Sequence, residues 1–172
     1  MAVRHHNISG ELTQELLAPG DGVNVSKISL TNIQKVSTCK VDLFIKKALV
    51  GKFYILKGVE IPIGASLIYD AMRFNNDIKE FGLYIKLTDG ATFTLTGTID
   101  VTGTNVNVPG TNTLYTSELS VGDEVVVSGE TRTIATITSD TAATVTAAWG
   151  SDLANDTTPD CNPTALVDVI IN

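Results

Sequence analysis

An antiparallel all-β chain is what this sequence predicts, a β-sandwich of jelly-roll or immunoglobulin-like kind with a small β-barrel or meander domain inserted in it. Three observations carry that expectation. Apolar residues recur at every second position in run after run, the period of a half-buried strand, and no stretch of about ten residues keeps a helical period. Beyond Leu87 the texture changes, with Thr, Gly, Asn and Val taking over. It changes back in the closing ALVDVIIN, which reads like the strands of the first half.

Taken in order, ELTQELLAP is the one helix candidate, short and weak. VNVSKISLTNI supplies Val23, Val25, Ile28 and Leu30, with a phase slip near Ser26 that a bulge would absorb. CKVDLFIKK puts Cys39, Val41, Leu43 and Ile45 on one face and Lys40, Asp42, Phe44 and Lys46 on the other. KFYILKGVEIPIG reads as a pair of extended segments around Lys57-Gly58, followed by SLIYDAMRFNN. EFGLYIKL then turns Phe81, Leu83, Ile85 and Leu87 one way, and NND and KGV mark turns.

In the second half, ATFTLTGTIDVTGTNVNVPGTNT suits exposed strands, because β-branched Thr and Val favour the extended chain. A meander follows: strand 125–127, turn 128–130, strand 131–137, turn 139–140, strand 143–147. Its small core would use Ile99, Val101, Leu119, Val121, Val125, Val127, Ile134, Ile137, Val145 and Trp149. The expected organisation is a discontinuous docking domain, 1–97 plus 163–172, interrupted by an acidic domain over 98–162.

Charge divides the chain the same way. Residues 1–86 hold 11 Lys/Arg and 8 Asp/Glu, whereas residues 87–172 hold Arg132 alone against 11 Asp/Glu. So acidic a second half disfavours nucleic acid, whose phosphates need cations. No apolar run reaches the roughly 18 to 20 residues of a membrane span, and the polar start MAVRHHNISGELTQ lacks a signal-peptide apolar region, so use from the cytoplasm is expected.

The sequence offers little chemistry. His5 and His6 are adjacent and would point opposite ways on a strand, a poor metal site, so an N-terminal arm touching a neighbouring subunit is the expectation. No G-x-S-x-G elbow is present, and no pattern asks for a cofactor. Asp152, Asp156 and Asp160 recur every four residues, but without a D-x-D-x-D-G loop they read as a solvated acidic loop rather than a calcium site. Cys39 and Cys161 lack metal or redox spacing and read as reduced thiols, one in a strand and one in a loop. Arg132 reads as a surface charge paired with Glu130 or Asp140, or as a partner contact. Phe53, Tyr54, Tyr69, Phe74, Phe81 and Tyr84 read as core and rim of a sheet domain rather than a base-stacking surface.

Three stretches resemble virion proteins of tailed bacteriophages. VRHHNISGELTQELLAPGDGVNVSKISLTNI, with VDLFI and GKFYILKGVEIPIGASL, looks like small sandwich proteins of marine and cyanobacterial phages. LSVGDEVVVSGETRTIATITSDTAATVTAAW is similar to a module of phage tail, fibre and decoration proteins, and LVDVIIN to the closing strand of the undivided sandwich. The resemblance implies a non-enzymatic virion subunit, a capsid decoration or tail-associated protein that meets major capsid or tail proteins and other copies of itself. The alternative is a host-receptor or glycan-binding module of a tail fibre, with Trp149 as a sugar platform.

Overall fold

A computed structural model of the protein describes residues 3–47, 49–75 and 79–172. The chain opens with β1 (Arg4–Ser9), β2 (Gln14–Leu17), β3 (Asn24–Val25), β4 (Ile28–Asn32), β5 (Cys39–Lys47), β6 (Gly51–Ile61), β7 (Ser66–Tyr69), β8 (Phe74–Asn75) and β9 (Phe81–Thr88). It continues through β10 (Phe93–Thr94), β11 (Thr98–Val101), β12 (Asn107–Thr111), the single-turn α1 (Tyr115–Glu118), β13 (Glu124–Val127), β14 (Glu130–Ser139), β15 (Ala142–Val145), β16 (Leu153–Asp156) and β17 (Asp160–Asn162), and then β18 (Leu166–Ile171). Every strand pair among the described residues is antiparallel.

Two compact units result. Unit 1 comprises residues 1–34, 38–89 and 165–172, and unit 2 comprises 35–37 and 90–164.

Unit 1 holds two four-stranded sheets, ordered β1-β18-β4-β7 and β2-β9-β5-β6, and the short pair β3-β8. Alternation drives both sheets: Ile28 and Leu30 of β4, Val167, Val169 and Ile171 of β18, Val41 and Leu43 of β5, and Leu83, Ile85 and Leu87 of β9 enter one apolar cluster. Each such side chain contributes roughly 1.5–3 kcal/mol on leaving water. The slip expected near Ser26 is a true break, where the Ser26 and Lys27 amides both donate to the Asn172 carbonyl and separate β3 from β4.

Three local expectations are corrected in unit 1. ELTQELLAP is not helical: its residues 14–17 form β2, because a segment this short cannot offset helix nucleation and pairing with β9 satisfies its backbone instead. A register shift between Glu15 and Leu17 lets both Leu16 and Leu17 reach the core. Around Lys57-Gly58 the chain does not split in two. It stays one eleven-residue strand, β6, with a bulge at Gly58 (φ 60°) whose amide donates to Asp42 Oδ1 at 2.7 Å. The turn expected at NND falls on Asn76 and Asp77, which lie outside the described residues.

In unit 2 the strand order is β10-β17-β13-β14-β15-β12-β11-β16, and the expected meander is its β13-β14-β15 portion. Ile99, Val101, Leu119, Val125, Val127, Ile134, Val145 and Trp149 form its core with Tyr115 and Cys161. Val121, expected inside, is exposed, since it precedes the Gly122 turn that leads into β13. Cys161 is in strand β17 and buried, not in a loop. The unit's two ends lie together: Thr92 Oγ1 donates to Asn162 Oδ1 at 2.6 Å and Thr94 Oγ1 to Asp160 Oδ1 at 2.8 Å.

Candidate interaction face

β5 is the middle of the arrangement. With Val41 and Leu43 turned into the core, strand alternation sends Lys40, Asp42, Phe44 and Lys46 to the opposite side of the sheet. Phe44 sits between Tyr54 of β6 and Tyr84 of β9 in register. Its ring centroid is 5.5 Å from that of Tyr54, tilted by 54°, and 5.9 Å from that of Tyr84, stacked within 15°. Lys52 Nζ lies 4.5 Å from the Phe44 centroid and Lys57 Nζ 4.9 Å from the Tyr54 centroid. Phe44 is therefore only 1% exposed although it faces away from the apolar core. It is covered by ring edges and lysine stems, arrangements that add cation–π and aromatic attraction to the area buried.

The tyrosine next to it is fixed from two sides. Tyr84 donates its hydroxyl proton to Glu15 Oε2 at 2.7 Å, binding β2 to β9. That hydrogen bond, then burial, then the Glu15 charge push the Tyr84 hydroxyl up to about 12. A Cβ on Gly82 would meet the Tyr84 ring at 2.8 Å, so the ring rests on bare backbone.

Charge on this face is uneven. Lys40 pairs with Glu60 at 3.3 Å and Asp42 is engaged at the Gly58 bulge, whereas Lys47, on the other side of the sheet, pairs with Glu80 at 2.5 Å. Among the described residues no carboxylate forms an ion pair with Lys46, Lys52 or Lys57. At the end of the β5–β6 hairpin Leu49 (φ 63°) and Val50 are exposed, and Phe53 and Tyr54 remain 48% and 44% exposed. The result is a sheet face with an aromatic centre, three cations with no ion-pair partner among the described residues, and an apolar tip.

Comparison with known proteins finds no family model, no curated protein and no solved structure that matches the chain.

The residues singled out from sequence fall elsewhere. His5 and His6 are not on a loose arm: β1 pairs with β18 over six residues, Arg4 to Ser9. His5 is exposed, whereas His6 Nε2 is buried with no hydrogen-bond partner among the described residues, and burial, with Arg4 and His5 adding positive charge, pushes its pKa down. Arg132 and Trp149 are brought together in unit 2. The guanidinium stands 5.6 Å from the indole centroid, donates from Nε to the Ala148 carbonyl at 2.9 Å and pairs with Glu130, which also accepts the Gly150 amide. Trp149 is 1% exposed, so no ring face is open to a ligand.

The three aspartates are engaged separately. Asp152 accepts the Gly103 amide, Asp160 the Thr94 hydroxyl, and Asp156 the Ser128 and Thr158 amides. Burial alone would raise the Asp156 pKa, but the Thr158 and Ser128 donors outweigh it and hold it below the usual value. Among the described residues no group of three or more His, Cys, Asp or Glu is placed to hold a metal ion. Cys39 and Cys161 are free and buried; burial pushes the Cys39 thiol up to about 11 and raises that of Cys161 as well. No helix among the described residues is long and apolar enough to cross a membrane. Phe44 carries the face, and its one signal in the sequence is its phase: an aromatic sharing a strand face with Lys40, Asp42 and Lys46.

Proposed function

We propose that the chain is a non-enzymatic structural subunit of a tailed-phage virion, a capsid decoration or tail-associated protein that acts through repeated protein–protein contacts. In this reading unit 1 is a sandwich of jelly-roll or immunoglobulin-like kind that docks on the particle, and unit 2 is an acidic module inserted in it. The supporting observation is the aromatic–lysine face: rings packed on the outside of a sheet, and cations with no ion-pair partner among the described residues, fit a contact surface better than a reaction site. Many modest contacts of this kind, repeated over an assembly, give strong attachment without any single strong site. The glycan-binding alternative relied on Trp149 as a stacking platform and has no support from that enclosed ring.

The test is cryo-electron microscopy of purified particles of the phage that encodes the chain. Density for it at a regular, symmetry-related position is the expected result and distinguishes capsid from tail. Its absence from the particles would overturn the reading.

A further inference from the structure

Unit 1 has balanced charge overall, ten Lys/Arg against ten Asp/Glu, yet the β5–β6 hairpin holds five of those lysines against Asp42 and Glu60. Unit 2 is the reverse, with nine Asp/Glu against Lys35 and Arg132, and Arg132 is already held by Glu130 over Trp149. The registers of β10, β17, β13 and β14 put Thr94, Asp160, Glu124, Val126, Thr131 and Thr133 on one side of that sheet, opposite the buried Val125, Val127 and Cys161. That side carries two carboxylates, threonine hydroxyls and no cation. Glu124 is exposed and makes no ion pair among the described residues.

We propose that the Phe44–Tyr54–Tyr84 face of one copy, with Lys46, Lys52 and Lys57, docks on the Glu124 face of unit 2 in a second copy of this chain. Complementary potentials set the partner, and the exposed Tyr54 ring with the stems of Lys52 and Lys57 beside it supplies apolar area to bury once the charges have aligned. The contact uses side chains rather than strand addition. β6 is the free edge of its sheet, but its register shifts on either side of Leu43 and the Gly58 bulge break the row of backbone groups that another strand would need. Because the two faces belong to different units, the contact is made twice in a two-fold pair or repeats head to tail in a ring. This deepens the structural-subunit reading by naming the partner of its contact face.

Sedimentation velocity of the full chain tests it, at about 0.01 M salt, where the Debye length is about 30 Å, and at about 1 M, where it is about 3 Å. Association at low salt that dissolves at high salt is expected. The variant Lys46→Glu/Lys52→Glu/Lys57→Glu should weaken association on the order of tenfold or more, since it replaces three attractions by repulsions. Glu124→Lys/Thr131→Lys should do the same, and mixing the two variants should restore association, which a misfolded variant could not do. A monomer at low salt, association indifferent to salt, or a mixture that stays monomeric would each overturn the proposal. A monomer in solution that still occupies regular positions on particles sinks this inference alone; a self-associating chain absent from particles sinks the virion reading alone.

Discussion

The Asp89 carboxylate accepts the Ala165 amide at 2.6 Å, so two positions 76 residues apart in the chain are clasped at one point of unit 1. Asp89 closes β9's exit and Ala165 opens the approach to β18, and the Asp89 amide in turn donates to Glu11 Oε1 at 3.1 Å. The clasp fixes where the chain leaves unit 1 and where it returns.

Replacing residues 90–164 by a short Gly-containing turn is therefore expected to leave unit 1 folded, because its exit and return are already within hydrogen-bond reach. Cooperative thermal unfolding with β-type circular dichroism is the expected result; a product with no transition would show that unit 1 depends on unit 2. In the full chain, Asp89→Ala should cost about 1–3 kcal/mol, the penalty for stranding a buried amide, read from urea unfolding.

Phe44→Ala should cost about 3 kcal/mol, near the lower end for a buried Phe, since the rings and lysine stems above it can settle into the space. Phe44→Leu should recover most of the loss in stability but not the ring contacts. Equal effects from the two variants would mean that the stacked geometry matters more than the volume filled.

Acid should weaken the fold partly through His6. Its folded pKa lies below 6.5 because burial disfavours the cation, so between the two values the unfolded chain binds the proton and the folded chain does not. Stability attributable to His6 is complete above about pH 6.5 and is lost as pH falls toward the folded value. The difference in unfolding free energy between the protein and His6→Gln, followed from pH 7.5 to 5, should slope in that window. A flat difference would refute it.

At the alkaline end, Tyr84 works in the opposite sense. With its hydroxyl raised to about 12, the Glu15 bond contributes fully below about pH 10 and is lost as pH rises toward 12. Tyr84→Phe should flatten the stability profile over that range.

Both thiols should resist a soluble disulfide reagent in the native protein, because burial hides them and keeps them protonated. In denaturant both should react, giving two equivalents released. Rapid native release of either equivalent would contradict the buried placement.

Strands that alternate over several residues were legible from sequence, and β5 and β9 lie where their periodicity puts them. The failures share one physical cause, local irregularity. Period two breaks at Leu16-Leu17, where a register shift turns both leucines inward, and a run of Glu, Gln and Leu then mimics a helix. Gly58 looks like a turn because a bulge uses the same left-handed backbone as a turn. Val121 departs from expectation because hydrophobicity alone does not tell the residue before a tight turn from a core position, and Cys161 because β17, three residues between Pro159 and Pro163, is too short to show an alternation. The candidate face was half visible: alternation places Phe44 among Lys40, Asp42 and Lys46, but its contacts with Tyr54 and Tyr84 depend on which strands flank β5, and that pairing spans residues far apart in sequence.

β18 lies between β1 and β4, yet it is translated after all of unit 2. On the ribosome the first 89 residues must wait with that sheet missing an inner strand and the sides of Ile8, Ile28 and Leu30 uncovered, while unit 2, whose two ends meet each other, can complete itself first. Unit 1, begun first, can therefore be completed only after the whole of unit 2 has been made, and until Leu166–Ile171 emerges its unfinished sheet is open to misassociation.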